Sequence, residues 1–318
     1  MKAAVYDNPG PPTVLKYADV PDPVCGPDDV LISVEAISIE GGDLINRRST
    51  PQKSSWIVGY AAAGRIVSIG ANVRDRAVGE KVAAFDMRGS HAELWSVPAS
   101  RTWLVPDGLE MAQAAALPIS FGTAYHCLIT KGGLGETETV LIQAAAGGVG
   151  LAAIQLARDA GATVIAVAGG RERQARLTEL GASHAIDRLE KDVVEEVLRL
   201  TGGKGADLVI DPVGSTLQAS LSALAPEGRL VFVGNAGGGE LNVELWQPMQ
   251  NNQTLHGVFM GTLFERSAVH DTVDELLKAT AKKRLKVVID RVFPLRDASN
   301  AHEYAETAKP LGRVVMIP

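Results

Sequence analysis

The chain has 318 residues, of which 46% are hydrophobic and 21% charged, and it carries a formal net charge of −6 at pH 7. This composition predicts a folded globular protein of one large or two ordinary domains and excludes a disordered chain. The negative charge gives no reason to expect nucleic acid or an anionic membrane as a partner. No apolar run approaches the roughly 20 residues that cross a bilayer, and the start lacks a signal-peptide pattern, so we expect a cytoplasmic protein.

The first 120 residues have the pattern of an all-β region. Clusters of proline and glycine, such as residues 8–12 and 106–108, alternate with short β-rich runs at residues 30–34 and 64–70. Short runs separated by frequent turn signals are typical of β structure with tight connections.

The middle of the chain alternates between apolar runs and helical patterns. The expected strands begin at Thr139 and continue at residues 163–168, 184–187, 207–211 and 229–234, with helices expected at 171–180, 191–200 and 215–224. Continuous apolar strands that alternate with helices in this way predict an α/β domain, with helices on both faces of a doubly wound, mostly parallel sheet. Ligands of such sheets bind beyond the carboxyl ends of the strands.

The end of the chain returns to β character at residues 287–293 and 313–317. Two short strands cannot form a domain of their own, so we expect them to join the β-rich first region. The predicted division is therefore a β-rich domain of residues 1–120 and 262–318, with a nucleotide-binding domain of residues 121–261 inserted between them.

The turn at residues 144–150, Ala-Ala-Ala-Gly-Gly-Val-Gly, follows an apolar strand and leads directly into a helical pattern. The unpaired N–H groups and the dipole of a helix start favour negative charge, and glycines let a phosphate approach the backbone. The spacing departs from G-x-G-x-x-G, and glycine-rich turns also occur for packing reasons alone, so the strand–helix alternation supports this prediction. The candidate cofactor-binding residues of the turn are Ala146, Gly147, Gly148 and Val149.

The end of the second strand indicates which dinucleotide binds. A site for NAD usually presents an acidic residue there, whereas this chain reads Gly-Gly-Arg-Glu-Arg from Gly169. Arginine donates paired hydrogen bonds that suit a phosphate, so we predict NADPH over NADH. The candidate residues are Gly170, Arg173 for the 2′-phosphate, and Arg171 and Arg188 in support. Alternatively, these arginines are solvated residues at a helix start.

Several segments together resemble the medium-chain dehydrogenase/reductases. They are the start at residues 1–6, the turn-rich β region, residues 115–124 and 144–150, the Asp-Pro-Val-Gly of residues 211–214, and the final residues 312–318. The resemblance covers essentially the whole chain and is nearest to the zinc-free quinone oxidoreductases, the family of zeta-crystallin. It implies a GroES-like β-rich catalytic domain, a Rossmann domain and, commonly, a homodimer.

The resemblance also implies the residues of the reaction site. Thr123, Gly234, Asn235, Phe259 and Met260 match positions near the nicotinamide. The candidate catalytic residues are Tyr60 and Glu40. Tyr60 is also a candidate for the wall of the substrate pocket, together with Ile45. Two structural interpretations compete with these roles, a tyrosine packed in the core and a glutamate that caps the glycine turn at residues 41–42.

Zinc-dependent relatives place a cysteine near Ser38 to Asp43 and a Gly-His-Glu where this chain reads Gly59-Tyr60-Ala61. Only Glu40 remains as a potential ligand, whereas catalytic zinc takes three. The two cysteines of the chain, Cys25 and Cys127, form no metal-binding pattern either. We therefore expect no metal.

The expected reaction is hydride transfer from NADPH to a quinone or an α,β-unsaturated carbonyl compound, acceptors that are already activated. Two alternatives stay open. One is a nucleotide-binding protein without turnover. The other is an enoyl-thioester reductase, which would need a basic patch, and Arg47, Arg48 and Lys53 are the candidates for it.

Two further expectations concern single histidines and assembly. His91 and His126 are each interpreted as a lone structural histidine without an evident partner. Residues 251–261 are predicted to form an edge strand of the Rossmann sheet, and an uncovered apolar edge favours pairing with a second copy, hence a homodimer.

Overall fold

The computed structural model of the protein describes residues 1–51 and 55–318. Its strands are β1 (Lys2–Tyr6), β2 (Lys16–Asp19), β3 (Asp29–Ser38), β4 (Trp56–Ile57), β5 (Ala61–Ile69), β6 (Lys81–Phe85), β7 (Leu94–Pro98), β8 (Thr102–Leu104), β9 (Thr139–Ile142), β10 (Thr163–Ala168), β11 (His184–Asp187), β12 (Ala206–Asp211), β13 (Leu224–Phe232), β14 (Thr254–Gly257), β15 (Ile289–Pro294) and β16 (Arg313–Ile317). Its α-helices are α1 (Gly41–Ser49), α2 (Met111–Tyr125), α3 (Gly148–Asp159), α4 (Arg171–Glu179), α5 (Val193–Leu200), α6 (Leu217–Ser222), α7 (Trp246–Gln250), α8 (Ser267–Ala281) and α9 (Ala298–Thr307).

The chain divides into two compact units. The first consists of Met1–Gly122 with Gly261–Pro318, and the second of Thr123–Met260. The tail strands belong to the first unit, because β15 pairs with β16 in parallel and β16 pairs with β3 in antiparallel orientation. The two short C-terminal strands are thus paired within the first unit.

The main sheet of the first unit has the strand order β15-β16-β3-β5-β6-β8, and β7 also pairs with β3. Strand β3 shows why this region folds as a half-buried sheet. Its side chains alternate, with Val30, Ile32 and Val34 buried and the residues between them more exposed. Alternation with a period of two places the apolar side chains on one face, where they pack in the core of this unit.

The second unit contains a parallel sheet with the order β11-β10-β9-β12-β13-β14. Its inner strands contain apolar runs at residues 140–142, 164–168 and 208–210. Helices cover them, and Val197 of α5 and Leu217 of α6 belong to the same core cluster as Leu141 of β9. The chain starts at the centre of the sheet and builds outward in both directions, which confirms the predicted doubly wound Rossmann arrangement. The carboxyl ends of β9 and β10 therefore lie next to each other.

Two strands of this sheet have bounds that differ from the prediction. Strand β13 begins at Leu224 rather than near Arg229, with Glu227 at a positive φ of 61° inside it. The edge strand β14 covers only Thr254–Gly257 of the predicted residues 251–261. No helix in the described ranges is long and apolar enough to span a membrane.

Candidate functional site

The glycine-rich turn links β9 to α3 as expected. Helix α3 begins at Gly148, and Gly147 precedes it as N-cap with extended φ and ψ of −78° and 168° and no side-chain cap. The turn is tied to the neighbouring strand by a 2.8 Å hydrogen bond that the Ala145 amide donates to the Val167 carbonyl. The first amides of a helix have no acceptor within it, so this start can bind an anion. Gly148 and Val149 supply such amides, and Ala146 lies in the turn.

Gly150 explains why a glycine is needed inside the first turn of α3. A Cβ atom on Gly150 would lie 2.5 Å from the Cα of Ala145, which is far closer than real contacts allow. At Gly147 the nearest atom would be 3.4 Å away, an ordinary contact. Close packing of the helix on its turn therefore depends on Gly150, whereas the exposed Gly147 leaves the backbone open to a phosphate.

The arginines of the predicted 2′-phosphate site surround the ends of β10 and β11. Arg173, on α4, donates a 2.6 Å hydrogen bond from Nη1 to the Gly169 carbonyl. Arg188 follows β11, its amide donates to the Ala168 carbonyl at 3.1 Å, and its side chain is exposed, as is that of Arg171. The structure thus brings together all three cations that the sequence analysis selected. Gly170 has a φ of 97°, which favours glycine.

Asp187 is a residue that the sequence analysis missed at this site. It ends β11, its register partner on β10 is Ala168, and it is 6% exposed. Its Oδ1 accepts hydrogen bonds of 3.0 Å from the amides of Gly170 and Leu189. These bonds lower the pKa of the carboxyl, with the charges of Arg188 and Arg171 in support. Arg188 is a candidate because the ends of β10 and β11 are adjacent, and the same reasoning applies to Asp187.

Asp211 organises the next part of the second unit. This buried carboxylate at the end of β12 accepts hydrogen bonds from the amides of Val213 and Gly214 and from the hydroxyls of Thr216 and Ser220. It thereby fixes the turn at Gly214, where a Cβ atom would lie 2.5 Å from Oδ1 of Asn235.

The candidate nicotinamide residues lie after strands β13 and β14 and within helix α2. Asn235 and the exposed Gly234 come after β13, and the Asn235 amide donates to the Gly239 carbonyl at 2.9 Å. After β14, Phe259 is 64% exposed and Met260 is buried. Thr123 is buried near the end of α2.

In the first unit, Tyr60 lies against helix α1. Its hydroxyl oxygen accepts a 2.6 Å hydrogen bond from the Asn46 amide group, and its ring packs edge-on to Phe85. A Cβ atom on Gly42 would lie 2.2 Å from the Tyr60 ring, so a glycine is required at this position of α1. Ile45 is half-buried on the same helix. Burial and the nearby Asp43 raise the pKa of Tyr60 to about 12, although the Asn46 hydrogen bond acts against the shift.

Glu40 lies directly before α1 in a buried cluster of charges. It is 2% exposed, Oε1 accepts a 2.7 Å hydrogen bond from the Ser38 hydroxyl, and Oε2 lies 2.5 Å from a guanidinium nitrogen of Arg313. Asp43 accepts a 2.8 Å hydrogen bond from the Glu40 amide, so the two carboxylates cap the helix start. Burial raises the pKa of both carboxyls, that of Asp43 well above its ordinary value, while Arg313 opposes the shift. These contacts favour the capping interpretation of Glu40.

The structure corrects two expectations of the sequence analysis. Arg47 is not part of a surface basic patch, because its side chain is fully buried, pairs with Glu306 and donates to the Gly10 carbonyl. His91 is not a lone histidine, because its Nε2 lies 3.0 Å from Nε2 of the equally buried His302. Both contacts join residues more than 200 positions apart, which explains why the local sequence gave no sign of them.

The remaining candidate residues are Arg48, Lys53 and His126. Arg48 is exposed, and Lys53 lies outside the described residues. His126 is buried in the π-helical turn that continues α2. Within residues 1–51 and 55–318, no group of three or more His, Cys, Asp or Glu side chains is arranged to hold a metal ion.

Comparisons with known proteins agree on one superfamily. Residues 26–107 match the alcohol dehydrogenase GroES-like domain, and residues 148–274 match the zinc-binding dehydrogenase family. A quinone oxidoreductase of Pseudomonas aeruginosa is 32% identical, with 97% of each chain covered. The chain belongs to the medium-chain dehydrogenase/reductase superfamily.

Other members of the medium-chain dehydrogenase/reductase superfamily are similar over nearly the full length. A 2-haloacrylate reductase of Burkholderia sp is 30% identical over 99% of this chain and 98% of its own. The human synaptic vesicle membrane protein VAT-1 homolog is 30% identical over 93% of this chain and 80% of its own. The structure of Escherichia coli quinone oxidoreductase complexed with NADPH superposes with a TM-score of 0.94, at 28% identity and full coverage of both chains.

Proposed function

We propose that this protein is an NADPH-dependent oxidoreductase that delivers hydride to a quinone or an α,β-unsaturated carbonyl compound without a catalytic metal. The observation that carries the proposal is the open helix start after β9, next to a cluster of arginines at the ends of β10 and β11. Similarity to a quinone oxidoreductase, to a 2-haloacrylate reductase and to an NADPH complex supports it.

The residues of the second unit fit a dinucleotide with a 2′-phosphate. The pyrophosphate would lie against the amides at the start of α3, with Ala146, Gly147, Gly148 and Val149 around it. Arg173 and Arg188 would bind the 2′-phosphate, and Gly170 provides the turn between them. When bound, NADPH supplies the hydride. Thr123, Gly234, Asn235, Phe259 and Met260 are the proposed contacts of its nicotinamide end.

Asp187 is compatible with the phosphorylated cofactor in spite of its negative charge, because the charges of Arg188 and Arg171 lie beside it. Its carboxylate already accepts two backbone hydrogen bonds, from Gly170 and Leu189, and is almost fully buried. The exposed side chains of Arg171 and Arg188 supply positive charge for a phosphate at the same strand ends.

Tyr60 is the proposed donor to the substrate carbonyl. Its hydroxyl oxygen accepts the hydrogen bond of Asn46, which leaves the hydroxyl proton for an acceptor. A pKa of about 12 keeps that proton in place throughout the neutral range. Negative charge that develops on a quinone or enone oxygen would be stabilised by this hydrogen bond, and solvent can supply the proton that completes the reduction.

The first unit does not fit a catalytic zinc ion. The carboxylate of Glu40 already interacts with the Ser38 hydroxyl and the Arg313 guanidinium. The raised pKa of Tyr60 keeps its hydroxyl protonated. Zinc catalysis requires three ligands that converge on one open site. We therefore propose a metal-independent reaction in which Glu40 fixes the start of α1, and Ile45 on that helix forms part of the substrate wall. The burial of Arg47 removes one of the three cations considered for an acyl-thioester substrate.

We also propose that the protein is a homodimer formed through the edge strand β14. Leu255 on that strand is 40% exposed, and Trp246 and Met249 on the preceding helix α7 are exposed as well. An uncovered apolar edge of this kind favours pairing with a second copy about a two-fold axis.

The experiment that tests the proposed reaction follows a label from cofactor to product. NADPH deuterated at C4 is incubated with the purified protein and a short enone, and the product is analysed by mass spectrometry and NMR. We expect deuterium at the β-carbon of the saturated ketone. Tyr60→Phe should lower kcat by roughly 100- to 1000-fold, as removal of one oxyanion donor does, whereas Tyr17→Phe, at an exposed tyrosine, should not. Binding of NADPH without label transfer to any acceptor would favour the non-catalytic alternative.

A further inference from the structure

Helix α9 contacts two segments that are themselves in contact with the region of Tyr60. One contains His91, and the other is helix α1. His302 and Glu306 lie one helical turn apart on this helix. Nε2 of His302 lies 3.0 Å from Nε2 of His91, whereas the Glu306 carboxylate pairs with Arg47. His91 belongs to the segment that runs beside Gly59 and Tyr60, and Arg47 belongs to α1, which carries Asn46.

The His91 side of this arrangement fixes the backbone of Tyr60. The amides of His91 and Ser90 donate to the carbonyls of Val58 and Gly59 at 3.1 and 3.2 Å. The Asp86 amide donates to the Tyr60 carbonyl at 3.0 Å. A Cβ atom on Gly59, whose φ is 116°, would lie 2.0 Å from Nδ1 of His91. The imidazole therefore packs directly against the residue before Tyr60.

The protons of the histidine pair can be assigned from its neighbours. Both rings are fully buried, and burial lowers both pKa values, that of His91 to about 3, so both are neutral. Nδ1 of His91 lies 3.3 Å from the Ser90 hydroxyl, and Nδ1 of His302 has no hydrogen-bond partner among the described residues. With His302 donating to His91 and His91 donating to Ser90, every N–H of the pair has an acceptor.

The Arg47 side fixes the hydrogen-bond donor of Tyr60. Arg47 follows Asn46 on α1, and its buried guanidinium donates to the Gly10 carbonyl and to Glu306. The Gly10 amide in turn donates to the Arg47 carbonyl at 3.0 Å. These bonds hold the part of α1 from which the Asn46 amide reaches the Tyr60 hydroxyl at 2.6 Å.

We infer that His302, through His91, and Glu306, through Arg47, are positioning residues that set the orientation of the Tyr60 hydroxyl from two sides. One side fixes the backbone of Tyr60, and the other fixes its hydrogen-bond partner. The inference rests on the proposed function, in which that hydroxyl donates to the substrate. Neither residue touches the substrate, and both act through the groups that they hold.

The test is a double-mutant cycle in enone reduction. His302→Leu removes the donor to His91 and should lower kcat roughly tenfold, with the KM for NADPH unchanged. In the Tyr60→Phe background the same substitution should lower kcat less than twofold, because the hydroxyl that it misplaces is already gone. His302→Gln keeps an N–H within reach of His91 and should retain most of the activity. The control is Tyr304→Phe, which removes a hydrogen bond to Asp290 from the same helix.

An equal loss of kcat from His302→Leu in both backgrounds would overturn the inference, since a general structural effect does not depend on the Tyr60 hydroxyl. If Tyr60→Phe alone leaves kcat unchanged, the role of Tyr60 falls and the positioning role falls with it, while label transfer from NADPH would still establish the reductase activity. Should His302→Leu lose its cooperative thermal transition, Glu306→Gln is carried through the same cycle, with the same predicted dependence on Tyr60.

Discussion

Cofactor preference is a question of single side chains. Arg173 and Arg188 lie at the adjacent ends of β10 and β11, where the 2′-phosphate is proposed to bind. Replacing either by alanine should weaken NADPH binding by roughly 10- to 100-fold, the range expected for a charge-assisted hydrogen bond, and leave NADH binding nearly unchanged. Fluorescence titration with both cofactors measures the effect.

A matched control is available on the same helix. Arg176→Ala removes an exposed arginine of α4 that pairs with Glu179 and should alter neither affinity. An equal loss of NADPH and NADH affinity in Arg173→Ala would show that this arginine maintains the turn and does not select the cofactor.

The same residues show how far single positions can be predicted from the sequence. Arg173 and Arg188 were identified because strand ends that are adjacent in a parallel sheet can be inferred from the order of the strands. Asp187 satisfies the same condition, but the expected acidic residue of a dinucleotide site belongs to the end of the second strand, whereas Asp187 ends the third. The burial of Arg47 by Glu306 could not be inferred, since it joins α1 to α9 across 259 positions.

At the scale of elements, the buried pair of His91 and His302 predicts how stability depends on pH. The pKa of each is lowered in the folded state, to about 3 for His91. Their contribution to stability is therefore complete above the ordinary pKa of about 6.5 and is lost as the pH falls below it, in the case of His91 down to about 3. Between pH 7 and pH 5, protonation linked to His91 should lower the free energy of unfolding by about 2 kcal/mol.

Urea unfolding of wild type and His91→Gln at the two pH values measures this dependence. The variant should lose about 2 kcal/mol less on acidification, because one fewer buried histidine takes up a proton on unfolding. The exposed His184→Gln should behave as the wild type. Equal pH dependence in all three proteins would mean that the pair is already charged when folded.

Elements differed in how well the sequence predicted them. The bounds of β10, β11 and β16 were predicted residue by residue, because apolar runs bounded by glycine or charge leave little choice. Strand β13 starts five residues early, since its first residues contain the unusual φ of Glu227 and no apolar run marks them. Contacts between distant elements, such as that of His91 with α9, depend on tertiary packing that local patterns do not encode.

The oligomeric state is a property of the whole molecule. If β14 is the interface, Leu255→Lys places two charges at the two-fold axis and should convert a dimer into a monomer. Sedimentation velocity distinguishes the two states. Val24→Lys, a change at an exposed apolar residue of the first unit, should leave the mass unchanged. A wild-type protein that sediments as a monomer would remove the homodimer proposal.

The central claim is that this chain is a metal-independent reductase that uses NADPH. The measurement that tests it most directly is the rate of NADPH oxidation with a simple quinone and a short enone, compared with NADH, before and after exhaustive treatment with a chelator. We predict turnover of at least one acceptor, a clear preference for NADPH, and no change on chelation. Loss of activity on chelation, or NADPH binding without oxidation by either acceptor, would contradict the account.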